Sequence, residues 1–192
     1  MSLRIKDIMT LPSFKNFQLV SGEDGLDNDV ITAGIADYEF AQGLTYDLTA
    51  VFEKDSMVIS SLLFARNHPE LILPAVKALH QCGASGFAYK RVLFDILPDE
   101  VLTYADEHSF PLFSFPGDIW FENIIFDIMA AVERDDERHL SEAHIEKMIK
   151  GTISREEVNR IRHGISLLLS KKVSAAYIKL PEAEAARVYR SY

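Results

Sequence analysis

The sequence predicts an α/β fold: a small, largely parallel sheet flanked by helices, followed by a long helix and the start of a second domain. Three observations lead there. Short apolar runs alternate with helical patterns from Val30 to Val132, the order that builds parallel strands through crossover helices. The run SMVISSLLF is apolar and β-branched, as a strand buried on both faces is. At 192 residues, 48% hydrophobic and 26% charged, the chain has the composition of a globular protein with a sizeable core.

Taken in order, Arg4 to Leu11 reads as a short leading helix and Phe17 to Gly22 as a strand closed by a turn. GEDGLDNDV has loop chemistry, since Gly, Asp and Asn cluster there. Ile31, Ala33, Ile35 and Asp37 alternate with the other face, so Val30 to Asp37 is a strand. Leu44, Leu48, Val51 and Phe52 have helical spacing, and Met57 to Ser60 is the buried strand. Ile72, Val76 and Leu79 share a helical face; Pro74 either begins that helix or bends it. GFAYK is a strand. Pro98, Asp99 and Glu100 open the next helix, where proline and acidic residues suit the free N–H groups. FPLFSFP is the last strand of the series. The long helix then carries Ile124, Ile128 and Val132 on one stripe, and its middle, ERDDERH, is a break or a solvated section. Ser154 and Glu157 have capping-box spacing. VSAAYIKLP reads as a strand and PEAEAARVYRSY as a helix. The expected organisation is a domain over 1–135, a helical linker over 136–172, and over 173–192 the beginning of a following domain, truncated.

The net charge of −9 argues against nucleic-acid binding by this chain alone, because phosphate neutralisation needs clustered Lys and Arg. No apolar run reaches membrane-spanning length, so no membrane contact is expected. The lone Cys82 has no internal disulfide partner, which fits a reducing, cytoplasmic setting.

HQCGASGFAYK, His80 to Lys90, places two glycines between a helix and a strand. Phosphate-binding loops run strand, glycines, helix, so that the anion meets the helix N-terminus. Here the order is reversed. Gly83 reads as a helix terminator in a left-handed conformation, and Gly86 as a point of close packing where the strand begins. No Walker loop or dinucleotide fingerprint occurs in the chain.

The series GEDGLDNDV, DSMVISS, CGASGFAYK, ILPDEVLTYAD and FPLFSFP resembles the N-terminal domain of the PucR-like transcription factors, the purine catabolism regulators, over roughly Leu3 to Val132. The order and spacing together carry the likeness. The resemblance implies a non-enzymatic sensor domain, followed by a GGDEF-like domain and a C-terminal helix-turn-helix that contacts DNA and is absent from this chain. It also implies a homodimer, and a small-molecule effector connected with purine breakdown, such as a ureide. The chain departs from the pattern around the buried strand. Asp55 and Ser56 stand where a glycine commonly precedes it, and the strand closes on Ser60-Ser61 rather than Thr-Thr-Gly.

Candidate chemistry is sparse. His139 and His144 are five apart, the wrong spacing for a metal pair on one helical face, so Glu142 and Glu146 nearby read as solvated surface. His68, His80, His108 and His163 are scattered. No metal and no cofactor are expected. Cys82 ends an apolar helical face and reads as a structural thiol. Without a Gly-x-Ser-x-Gly elbow, Ser60 and Ser61 do not suggest a hydrolase. Asp37 and Glu39 form a carboxylate pair, for acid–base work or a cationic group, with plain solvation as the alternative. Lys90 and Arg91 close a strand and would meet a carboxylate or phosphate, against a reading as ordinary surface charge. Trp120 and Phe121 would cap a pocket or fill core.

Ligands of open α/β sheets bind beyond the carboxyl ends of the strands. The expected effector site therefore gathers Ser60, Ser61, Lys90, Arg91 and Trp120, with Phe115 and Pro116 beside them and Asp37 and Glu39 joining. Ile125, Ile128, Met129 and Val132 on the long helix are the expected dimer surface. Two other functions remain in view: a small α/β enzyme acting on a nitrogenous metabolite, which needs a converging nucleophile and base, and an oligomerisation module without a ligand.

Overall fold

A computed structural model of the chain describes residues 2–40, 48–150 and 154. The chain divides into two compact units, Met1–Leu140 and Ser141–Tyr192. In the first unit a short helix α1 (Ile5–Ile8) leads through 3₁₀ turns to β1 (Gln18–Ser21) and β2 (Thr32–Ile35). Then follow α2 (Leu48–Val51), β3 (Ser56–Ser60), α3 (Ile72–Gln81), β4 (Gly86–Arg91), α4 (Asp99–Glu107), β5 (Leu112–Pro116) and α5 (Phe121–Ile149). The strands and helices expected from the sequence are present, with ends shifted by a few residues. Leu44 and the elements expected from Glu157 onward lie outside the described residues.

The five strands form one sheet in the order β1-β5-β4-β3-β2. The four strands β2 to β5 are parallel, and β1 closes one edge antiparallel to β5. Because successive side chains of a strand face opposite ways, each strand feeds two cores. Val58, Phe87, Tyr89 and Leu112 pack with Ile72, Val76 and Leu79 of α3 and Val101 and Ala105 of α4. Their neighbours Met57, Ile59, Ala88, Phe113 and Phe115 pack with Ile5 and Ile8 of α1 and Ile124 and Ile128 of α5. Both faces are covered, which is why the strands read as continuous apolar runs.

Pro74 sits in the first turn of α3, after a 3₁₀ turn at Pro69–Leu71, where its missing N–H costs no helical bond. Gly83 closes α3 with φ +89°, and Ala84 N–H reaches back to the Leu79 carbonyl. A Cβ at Gly86 would sit 3.1 Å from the Pro111 carbonyl oxygen, so this glycine does permit close packing. Two residues at the departures from the resembled pattern hold strained backbone: Asp55 has φ +61° and Leu62 has φ +58°. Glycine adopts such angles freely; leucine does so at a cost of roughly 1–2 kcal/mol.

α5 runs unbroken through ERDDERH, so the break allowed by the sequence does not form. The charges there support a solvated helix through pairs one turn apart: Arg138 Nη2 meets Asp135 Oδ1 at 2.6 Å, and His139 Nε2 lies 3.4 Å from Asp135 Oδ2.

Candidate functional site

The strand order decides whether the expected site residues are neighbours. With β2, β3, β4 and β5 consecutive in the sheet, their carboxyl ends form one edge: Asp37 after β2, Ser60 and Ser61 at β3, Lys90 and Arg91 at β4, Pro116 and Trp120 at and after β5.

At the β2–β3 corner the Asp37 carboxylate gathers donors. Oδ1 accepts from the Ser60 hydroxyl at 2.9 Å, Oδ2 accepts from the Ser61 hydroxyl at 2.9 Å, and the Ser61 N–H is shared between both oxygens at 3.2 Å. The Leu63 N–H adds a bond at 3.3 Å. The serine oxygens accept in turn, Ser60 Oγ from Leu62 N–H at 2.9 Å and Ser61 Oγ from Leu63 N–H at 3.3 Å. Glu39, buried, accepts from the Asp37 N–H at 3.0 Å. The pair is therefore engaged in hydrogen bonds rather than left to solvent alone. It is a clamp that joins two strand ends and holds Leu62 in its left-handed conformation.

At β4 the alternation separates the two cations. Lys90 turns to the α5 face, where its ammonium lies 5.8 Å from the Trp120 ring and 5.3 Å from the Phe121 ring. Trp120 does not fill core: it is 69% exposed, while Phe121 packs partly into the α5 side. Arg91 belongs to the opposite face, two residues beyond Tyr89. Its Nε is buried, and among the described residues no group accepts from it. Tyr89 donates to the Asp95 carbonyl at 3.3 Å, and Ser114 is its register partner on β5. Burial pushes the Tyr89 hydroxyl above its ordinary range, against the pull of Ser114 and Arg91. The structure thus brings Asp37, Glu39, Ser60 and Ser61 together, pairs Lys90 with Trp120, and sets Arg91 apart beside Tyr89 and Ser114. Sequence reasoning missed Tyr89 and Ser114, although the period of two in FAYKR places Phe87, Tyr89 and Arg91 on one face.

The opposite end of the sheet holds an open cleft of about 440 Å³, lined by Asp27, Asn28, Asp55, His80, Ser85 and His108 among others. His80 and His108, scattered in sequence, meet here with ring centroids 5.4 Å apart. His80 Nδ1 lies 2.9 Å from the Tyr104 hydroxyl. Its imidazole titrates below the ordinary value, through burial first and the neighbouring His108 second. Burial likewise pushes the half-buried Cys82 thiol up, away from the reactive thiolate. Among the described residues no group of three or more His, Cys, Asp or Glu is placed to hold a metal, and no helix is long and apolar enough to cross a membrane.

On α5 the expected dimer residues divide. Ile128 is fully buried against the sheet, and Ile125 and Val132 pack partly into the same core. Met129 is 40% exposed and Phe126, beside it on the outer surface, 73%.

Fold and edge together define an α/β protein on an open, mostly parallel sheet whose strand ends carry its polar side chains. The chain matches the purine catabolism regulatory protein-like family over residues 7–132, more than half of its length, and it belongs to that family. A relative, the purine catabolism regulatory protein of Bacillus subtilis (strain 168), is 25% identical over 125 residues, which cover 64% of this chain and 22% of the relative. The chain thus spans about a fifth of that relative's length. The family gives this region a regulatory role.

Proposed function

We propose that this region is the effector-sensing part of a longer transcription regulator, non-enzymatic in itself, with DNA contacted by a separate segment. Membership of the regulator family is the observation that carries this. The polar edge supports it, since the adjacent ends of β4 and β5 offer two cations and an aromatic ring in the place where open sheets bind ligands. The net charge of −9 agrees with a region that does not grip DNA. An enzyme acting on a nitrogenous metabolite is the weaker reading. The hydroxyls of Ser60 and Ser61 both donate to the one carboxylate of Asp37, which also accepts from the N–H groups of Ser61 and Leu63, so that carboxylate is shared among bonds joining two strand ends rather than reserved for one nucleophile. The relative's name makes purine or other nitrogen catabolism the process to examine first. Pairing of two copies, the usual arrangement of regulators that read two half-sites, would use the outer surface of α5 around Phe126 and Met129.

The experiment is a thermal-shift screen of the 192-residue chain against purines, ureides and amino acids, with calorimetry on any that raise Tm. A saturable ligand with no turnover supports the sensor reading. A panel without a binder, or turnover of a bound compound, overturns it.

A further inference from the structure

We propose that Arg91 is the anchor for a small singly charged carboxylate, and that seating this anion moves the connection between β4 and α4. The inference rests on the reading of the strand-end edge as an effector site. Its starting point is an unsatisfied donor. Buried N–H groups are almost always paired, because leaving one without an acceptor forfeits its hydration with nothing gained in return. Among the described residues Arg91 Nε is buried without an acceptor, and no carboxylate lies within ion-pair distance of its guanidinium. Elsewhere on the edge the charges are committed: Asp37 to its donors, Lys90 to the aromatic rings.

The ligand class follows from what surrounds the donor. Nε–H and the neighbouring Nη–H of an arginine form a side-on fork that matches the two oxygens of a planar carboxylate. Because Lys90 faces the other side of the sheet, Arg91 is the one cation that β4 supplies on this side. A single charge suits a monoanion better than a phosphate dianion. Tyr89 and Ser114 lie on the same face, a polar floor for the remainder of a small molecule.

Since Nε is enclosed, an anion must displace something to reach it. In this proposal the residues after Arg91 are the part that shifts. They form turns and bends rather than regular structure, and expose Val92 and Ile96, 63% and 75% respectively. This connection leads into α4, so seating an anion shifts a helix start as well as a side chain, which is what a sensor must do.

The test is a nuclear magnetic resonance titration of the full ¹⁵N-labelled chain, following the Arg91 Nε–H resonance, assigned by its loss in Arg91→Lys. Sodium acetate, inorganic phosphate and sodium chloride are added at matched ionic strength. The expected result is a saturable displacement with acetate alone, accompanied by the amides of Val92 to Ile96, and loss of that amide response in both Arg91→Lys and Arg91→Met. A linear response equal to that with chloride overturns the proposal, as does saturation by phosphate and not acetate, or an amide response that survives in either variant. A metabolite found by the thermal-shift screen whose affinity is unchanged in Arg91→Lys also overturns it, while leaving the sensor reading in place. Saturation by acetate with no metabolite bound does the reverse.

Discussion

The two corners of the strand-end edge are built on opposite plans. At the β2–β3 corner a carboxylate, two hydroxyls and backbone N–H groups satisfy one another, and a leucine is held in a conformation it disfavours. At the β4–β5 corner a guanidinium nitrogen lacks an acceptor among the described residues, and an ammonium rests on an exposed tryptophan and a part-buried phenylalanine. The contrast teaches that polar residues at strand ends are not equivalent evidence of a site. A saturated cluster contributes to the fold, whereas an unsaturated one is a cost that a ligand can relieve.

The largest expected effect tests the saturated corner. Asp37→Ala removes the acceptor of Ser60, Ser61 and Leu63, leaving part-buried donors unpaired and Leu62 unsupported. The variant should lose about 2–4 kcal/mol of stability, the range for breaking a buried hydrogen-bond network, as read by urea denaturation. A loss below about 1 kcal/mol, an ordinary single-bond value, would show that the clamp is not structural.

Arg91→Met should do the opposite at the other corner. It keeps most of the apolar stem and removes the orphan donor, so stability should stay level or rise by up to about 1 kcal/mol, the low end of the cost of an unpaired buried group. A marked loss in the same denaturation experiment would mean that Arg91 has a structural partner in solution, and the contrast between the corners would fail.

Lys90→Met should cost about 0.5–1 kcal/mol, the value of a cation over an exposed aromatic ring. Trp120 is the chain's only tryptophan, so its fluorescence reports on this corner directly and should shift in the variant. An unchanged emission spectrum would place Lys90 away from the ring.

The smallest effect belongs to the amino end of the sheet and serves as a control. His80 titrates below its ordinary 6.5 in the folded chain. Above that value it is neutral in both states and the stability is intact. As the pH falls below 6.5 the unfolded chain takes up the proton first, so stability declines until the folded-state pKa is passed. His80→Gln should flatten that part of the profile, measured by Tm between pH 7 and pH 5. An unchanged slope would assign it to other groups.

How much of this was legible in advance depends on the range of the interaction. The fold class was, because strand and helix periods are local: VIS, GFAYK and FPLFSF are buried on both faces, as continuous apolar runs should be. The role of Gly83 was legible from its place after a helix, and φ +89° agrees. The unbroken path of α5 was not, since the loss of an apolar stripe looks the same in a solvated helix as in a break. The candidate residues were proposed as a set of strand ends, and the strand order makes those ends neighbours, but the division among them was hidden. Alternation along β4 separates Lys90 from Arg91, and register across β4 and β5 brings Tyr89 to Ser114. The meeting of His80 with His108 was equally hidden, because it depends on two helices ending at the same side of the sheet.

By itself the sequence determined the elements, the two-sided burial of the strands and the likeness to a regulator family, since each depends on residue type and spacing within short segments. Tertiary structure alone decided strand order, and with it which polar ends became neighbours. It also decided which were already satisfied, because hydrogen-bond acceptors are supplied across the sheet rather than along the chain. Asp37 and Arg91 look alike as charged residues closing strands. Only the packing shows that one has its partners while the Nε of the other, among the described residues, has none.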